Sequence, residues 1–448
     1  MLITNATVIT GDTGNRILAD HAVLLSGHRI EKIGPSAKLE AAYPKARQLD
    51  ARGQLLMPGS ICAHTHFYGL LARGLALPSP APRDFPEIQE KLWRRLEASL
   101  SEEDIRISAL ASLVDAIRHG TTTLFDHHSS PAFVDGSLDV ISEAVEQAGV
   151  RAVLCYQVTD RDGPEATAAG IKENLRYIRR VTSRPSPRLG AMFGLHASST
   201  LSGATLQACR AALPAELGFH IRVAEHEQDQ YDSLHKSGMR VVDRLQNHEI
   251  LGPRTIAAHC VHVDAAEIAV LGRSGTWVSH QPRSNMSNAV GTAPVEAMVR
   301  AGVRVCLGSD GFPDTMWQEW KAAYLLPKVV HRDPRRLDVT QLMQIGMICS
   351  GELASAFFPG QVLGRVAPGS TADLVLVDYP SPTPITTENF PLHLVGGFHS
   401  GMVTTTIAAG KVLMKDRVLT TLDAARISAR ARELALRVWK RFEEGPKP

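Results

Sequence analysis

Apolar residues follow two different rhythms along this chain. Over residues 2–57 they alternate with polar ones in short runs, LITNATVIT, HAVLLSG, RIEKIG and ARGQLLMPG, separated by Gly, Asn and Asp. A period of two bounded by turn residues predicts strands; only AKLEAAYP has helical character. The same rhythm returns in STADLVLVD, MVTTTIAAG and KVLMKDRVL, around turns at Gly369 and Gly410. Two β-rich ends around a different middle predict one small β-sandwich domain assembled from residues 1–57 and 359–421. Residues 422–448 are rich in Arg, Glu, Ala and Leu and predict a terminal helix facing solvent.

Between residues 58 and 358 short apolar runs alternate with helical segments. Eight runs stand out: 60–66, 121–128, 150–158, 189–197, 218–226, 255–260, 276–280 and 303–311. The segment after the first run shows the helical grammar well. Ser101 is placed as N-cap with Asp104 at the reciprocal capping position, Ile107, Leu110, Val114 and Ile117 keep helical spacing, and Gly120 marks the stop. Eight strand-plus-helix units over this length predict a (β/α)₈ TIM barrel, whose functional groups belong at the C-terminal ends of the strands.

Composition narrows the partners. With 44% hydrophobic and 21% charged residues the chain is neither disordered nor fibrous. A formal charge of +2 without a basic block argues against nucleic acid. No apolar run reaches the length of a membrane span. The first residues lack the features of an export signal, and the six cysteines include no close pair, so reduced thiols in a cytoplasmic protein are expected. The 18 histidines are the informative excess, because histidine is the commonest metal ligand and general base.

Many of them fall at strand ends. His64 and His66 are two apart on the first barrel strand, so both imidazoles face one side and can chelate one ion. The eighth strand ends in Ser309-Asp310-Gly311, which offers a carboxylate across the barrel mouth from the first strand, able to bind a metal and to accept a proton from water.

Together, PGSICAHTH, AEH, AAHCVH, VSHQPRSNMSN and LGSDG resemble the motifs of the amidohydrolase superfamily, in particular its branch of aminohydrolases and chlorohydrolases acting on purines, pterins and triazines. HFYGLLARGL, KLWRRL, FDHHSSP and PRSNMSNAVG are most similar to the SsnA-type aminohydrolases. The resemblance implies a barrel with a composite sandwich, a small heterocyclic substrate, a homo-oligomer, and deamination by metal-activated water. It implies His64, His66 and Asp310 as metal ligands, Glu225 as acid/base, His259 as the group orienting water or oxyanion, and His196 and His280 as substrate contacts. Binuclear members carry a lysine on strand four; LGAMFGLHA has none, which implies one divalent ion, zinc or alternatively iron.

One position departs from that pattern. The third metal histidine of the branch stands three residues before the glutamate, and here that residue is Arg222, which stays charged and does not ligate cations. His220 or His226 on the same strand face could replace it, the metal could be weakened or lost, or Arg222 could read a substrate carboxylate or carbonyl oxygen. Trp93 lies on a lid-like segment and could stack on a flat heterocycle or pack a helix. Of His127 and His128, one could reach substrate or both could bond between loops. Arg283, with Ser284 and Asn285 after strand seven, could fix a substrate carbonyl or only the loop. Two other functions stay open: ring opening of a cyclic amide, and a catalytically silent barrel with a binding role.

Overall fold

The computed structural model describes residues 1–77 and 80–445, so the last three positions of the 422–448 segment lie outside the described residues. Each of the eight apolar runs forms a strand. They are Ser60–Thr65, Thr121–His128, Arg151–Tyr156, Leu189–Ala191 continued by Phe193–Ala197, Phe219–Val223, Ile256–His259, Trp277–His280 and Arg304–Leu307. Their apolar continuity reflects burial on both faces, as parallel strands under helices require. They pair in sequence order as two sheets, one ending in Leu189–Ala191 and the other beginning at Phe193–Ala197. Parallel bridges Val158–Leu195 and Thr65–Asp310 join the two seams, which closes a (β/α)₈ barrel.

The barrel interior is filled from below by Ile61, Ala63, Phe125, Val153, Trp277 and Cys306, capped by Leu353 of the helix Cys349–Phe357. Ile61 and Ala63 have the opposite parity to His64 and His66. The first strand resolves this with an irregularity: Cys62 pairs with Leu124 but Thr65 with Asp126, one extra residue on the first strand. Such a bulge re-aims the chain, and here it turns the inward face from the apolar pair to the two histidines.

Both chain ends contribute to one nine-stranded sheet. Its central seam pairs Leu374–Val377 antiparallel to Leu55–Pro58, which in turn runs parallel to Leu2–Ile9. Arg151, fully buried on the third barrel strand, ties the sheet to the barrel by an ion pair with Asp373 and by hydrogen bonds from its guanidinium to Gln361 Oε1. Ser101 and Asp104 form the expected capping box on the helix Glu102–Arg118.

The terminal helix Ala424–Glu444 corrects one expectation. It is not simply solvent-facing: Ile427, Leu434, Val438 and Phe442 form a buried stripe that packs on Glu102–Arg118. The many Arg and Glu residues mark only its outer face, and a composition average hides a narrow apolar stripe. No helix among the described residues is long and apolar enough to cross a membrane.

Candidate active site

The seam between strands eight and one builds the first half of the site. A Cβ at Gly308 would lie 2.7 Å from the His64 carbonyl oxygen and 2.8 Å from its nitrogen, so only glycine lets the eighth strand approach this closely. Asp310, two residues on, adopts φ +55°, a left-handed conformation that is unfavourable outside glycine and clusters at functional sites. Its Oδ1 lies 3.2 Å from His64 Nε2 and 2.9 Å from His66 Nε2. Its Oδ2 accepts a hydrogen bond from Ser284 Oγ at 2.5 Å. Burial opposes the charge of Asp310, but the two imidazoles outweigh it and hold the carboxyl well below the usual carboxylate range. Burial also pushes His64 down to about 3, which keeps a ring nitrogen free as a ligand.

Strands five and six supply the second half. Ala224, His259 and Cys260 share the left-handed region, at φ +46°, +72° and +50°, and this bend aims Glu225 and His259 at each other. Glu225 Oε2 and His259 Nε2 are 3.5 Å apart. Asn285 Oδ1, 2.9 Å from His259 Nδ1, accepts that N–H and thereby fixes the tautomer that leaves Nε2 bare. Burial drives the Glu225 pKa up to about 8 even though Arg222 pulls it down, so this carboxyl holds a proton near neutrality. His259 falls to about 4, again through burial.

Arg222 lies at 6% exposure with its guanidinium 4.0 Å from Glu225, 3.4 Å from Gln157 Oε1, and against His196 Nε2. His196 also holds Thr200 Oγ1 at 2.8 Å. His280 is buried at the end of strand seven, with Nδ1 unpartnered. Trp93 is half-buried, edge-on to Tyr68, and borders a cavity of about 720 Å³ together with Gly69, Ser284, Asp310 and Phe312. A second opening of about 270 Å³ is bordered by Phe85, Arg161, His196, Arg222 and Glu225. Arg283 is occupied by Glu319, Gln318 and the Pro313 carbonyl, so it fixes its loop. His128 bonds Ser130 at 2.9 Å.

Gln157 and Glu97 carry no signal in a single sequence: Gln157 accepts from Arg222, and Glu97 accepts from Tyr68, Ser129 and Arg161. PRSN was legible as a motif, but not as the source of one donor to Asp310 and one acceptor for His259.

The donor set suits a metal ion. His64, His259 and Asp310 each present a ligand atom within 4.8 Å of one another, and so do His64, His66 and His127. Both ring nitrogens of His127, and Nε2 of His259, are buried without hydrogen-bond partners. Imidazoles around one carboxylate are the ligand chemistry of zinc and its neighbours.

A closed (β/α)₈ barrel with imidazoles and carboxylates converging at its C-terminal mouth, beside a sheet made from both chain ends, defines a class of hydrolases with a candidate metal centre at the mouth. The sequence places the chain within that class: residues 55–413 match the amidohydrolase family, and the chain belongs to it. It is 32% identical to a 5-methylthioadenosine/S-adenosylhomocysteine deaminase of Pelotomaculum thermopropionicum, over 98% of this chain and 99% of the relative. It is 31% identical to a 5'-deoxyadenosine deaminase of Methanosarcina mazei, over 97% of each. Among solved structures it is similar to a zinc-bound adenosine deaminase from Xanthomonas campestris, with TM-score 0.87, 26% identity and 98% coverage of both chains. It shares the fold of the atrazine chlorohydrolase TrzN from Arthrobacter aurescens, crystallised with zinc, at TM-score 0.82 and 21% identity over 97% of this chain and 99% of that one.

Proposed function

We propose that this chain is an aminohydrolase that deaminates a nitrogen heterocycle, with adenine nucleosides as the first class to test. The observation that carries the reading is the pairing of Glu225, poised near neutral pH, with His259 at 3.5 Å, beside the His64–His66–Asp310 cluster. End-to-end similarity to nucleoside deaminases supports it.

His64, His66 and Asp310 would hold a single divalent ion, zinc or iron, and when bound that ion supplies Lewis-acid activation of water. The rest follows from the side chains. Asp310 is ionised and can take the proton released by the attacking water. Glu225 is protonated and can deliver its proton to the ring nitrogen as the ring carbon becomes tetrahedral, after which ammonia leaves. His259 Nε2, bare because Asn285 holds the proton on Nδ1, orients the water by accepting one of its hydrogens. His196 and His280 contact the substrate from strands four and seven, and Trp93 offers a ring face from the mouth. A reaction that forms a tetrahedral carbon is served by this division between an ionised carboxylate and a protonated one, and it arises because two imidazoles hydrogen-bond Asp310 while burial dominates at Glu225.

The same reading includes a cytoplasmic homo-oligomer. The test is ammonia release by metal-loaded protein from adenosine, 5'-deoxyadenosine, guanine and amino-triazines. Stoichiometric ammonia from one class supports the assignment. Ring-opened product without ammonia would move it to cyclic amides, and no turnover together with no bound metal would leave a binding barrel.

A further inference from the structure

The fifth strand puts Arg222 where the family resemblance expects a third imidazole for the ion, and an always-protonated guanidinium is no ligand. Its contacts lie elsewhere, with Gln157, His196 and Glu225. Nor does either histidine of that strand fill the place. His220 Nε2 stands 2.8 Å from His64 Nδ1, the far side of that ring from the nitrogen that meets Asp310. His226 Nδ1 caps a helix, accepting the Gln228 N–H at 3.2 Å.

The second strand brings a different candidate. His127 is 0% exposed, its ring stacked 4.6 Å from that of His220 and 5.7 Å from that of His66. Neither of its ring nitrogens has a hydrogen-bond partner. A neutral imidazole always carries one N–H and one lone pair, and leaving both unmet when buried forfeits the hydration they would otherwise have. Its ligand atom lies within 4.8 Å of those of both His64 and His66. The His127 carbonyl also accepts the His66 Nδ1–H at 2.5 Å, so the same residue orients a ligand through its backbone. The adjacent His128 has found an ordinary partner in Ser130, so of this pair only His127 has both ring nitrogens buried and unmet.

We propose that His127 is the third imidazole of the metal centre, so that the ion is held by His64, His66, His127 and Asp310 and the ligand missing at Arg222 is supplied by the second strand. This rests on the metal-dependent reading above and deepens it. It also leaves Arg222 its own partners, since its guanidinium donates to His196 Nε2 and Gln157 Oε1, while the ligand count of three imidazoles and one carboxylate is kept.

Zinc affinity by chelator competition, on folded protein checked by circular dichroism, separates the outcomes. Wild type is expected to bind about one ion, His127→Ala to lose about 100-fold or more in affinity, and His226→Ala to stay within about 10-fold. A double variant carrying Arg222→His with His127→Ala regains tight binding, because the ligand returns to strand five. Cobalt-loaded His127→Cys shows a sulfur-to-cobalt charge-transfer band. X-ray absorption of the zinc-loaded wild type, which needs no variant, counts three imidazoles. Wild-type affinity in His127→Ala, cobalt bound to His127→Cys without that band, or two imidazoles in the wild type would each overturn the proposal while leaving the hydrolase reading intact. Absence of any ion from the wild type would sink both.

Discussion

Replacing Arg222 by Met tests the electrostatics of the proposed acid. Glu225 is pushed up to about 8 by burial, and Arg222 is the largest influence in the opposite direction. Their charged atoms stand 4.0 Å apart, so at an effective dielectric of about 20 the attraction is about 4 kcal/mol, an upper figure before relaxation and water entry. If only a third of that survives, the ionised form of Glu225 still loses about 1.4 kcal/mol of support, a factor of ten in its acidity. The sign is fixed. Removing the guanidinium raises the pKa of a carboxyl that acts when protonated, so the alkaline limb of kcat/KM, near pH 8 in the wild type, moves up by about one pH unit or more. Arg222→Lys keeps the charge and is expected to leave the limb close to the wild-type position. The assay is initial-rate ammonia release across pH 6 to 10, with metal content measured on the same samples so that lost metal is not mistaken for a shifted proton. An alkaline limb that stays in place or moves down in Arg222→Met, with metal retained, would refute the view that Glu225 is the proton donor held in check by Arg222.

Other expectations follow from single contacts. Glu225→Gln should lower kcat by about 10²–10⁴-fold at neutral pH with metal content unchanged, as loss of a general acid does; near-wild-type kcat would remove Glu225 from the chemistry. Ser284→Ala withdraws the buried 2.5 Å donor from Asp310 Oδ2 and should cost about 10–100-fold in metal affinity or kcat, read by chelator competition and steady-state rates. Asn285→Leu leaves His259 Nδ1 without its acceptor, so kcat should fall by about ten-fold or more while KM changes little. Arg151→Met strands the buried Asp373 carboxylate between barrel and sheet and should destabilise by about 3–5 kcal/mol in urea unfolding, with activity of the folded fraction preserved.

Much of this protein was written in local pattern. Eight apolar runs, a capping box at Ser101, and the period-two rhythm at both ends depend on neighbours within a few residues, and each has its counterpart as an element of the fold. The histidines at strand ends were legible for the same reason, since a strand end in a parallel barrel is a fixed address. What sequence could not show were relations across the barrel. The bulge between Cys62 and Thr65 is a mismatch between two strands and exists only in their pairing. The buried stripe of the last helix depends on what packs against it, and its charged outer face dominates the composition. The position of Arg222 was readable as a missing imidazole, but only closure of the barrel brings His127, 95 residues earlier, next to His64 and His66. Likewise the opposite protonation of Asp310 and Glu225 is a property of surroundings: two buried carboxyls of similar intrinsic acidity part because two imidazoles hydrogen-bond the first, while burial outweighs Arg222 at the second. Sequence determined the elements and the kinds of groups at their ends; tertiary structure decided which groups meet, because distance and desolvation arise only when remote segments pack together.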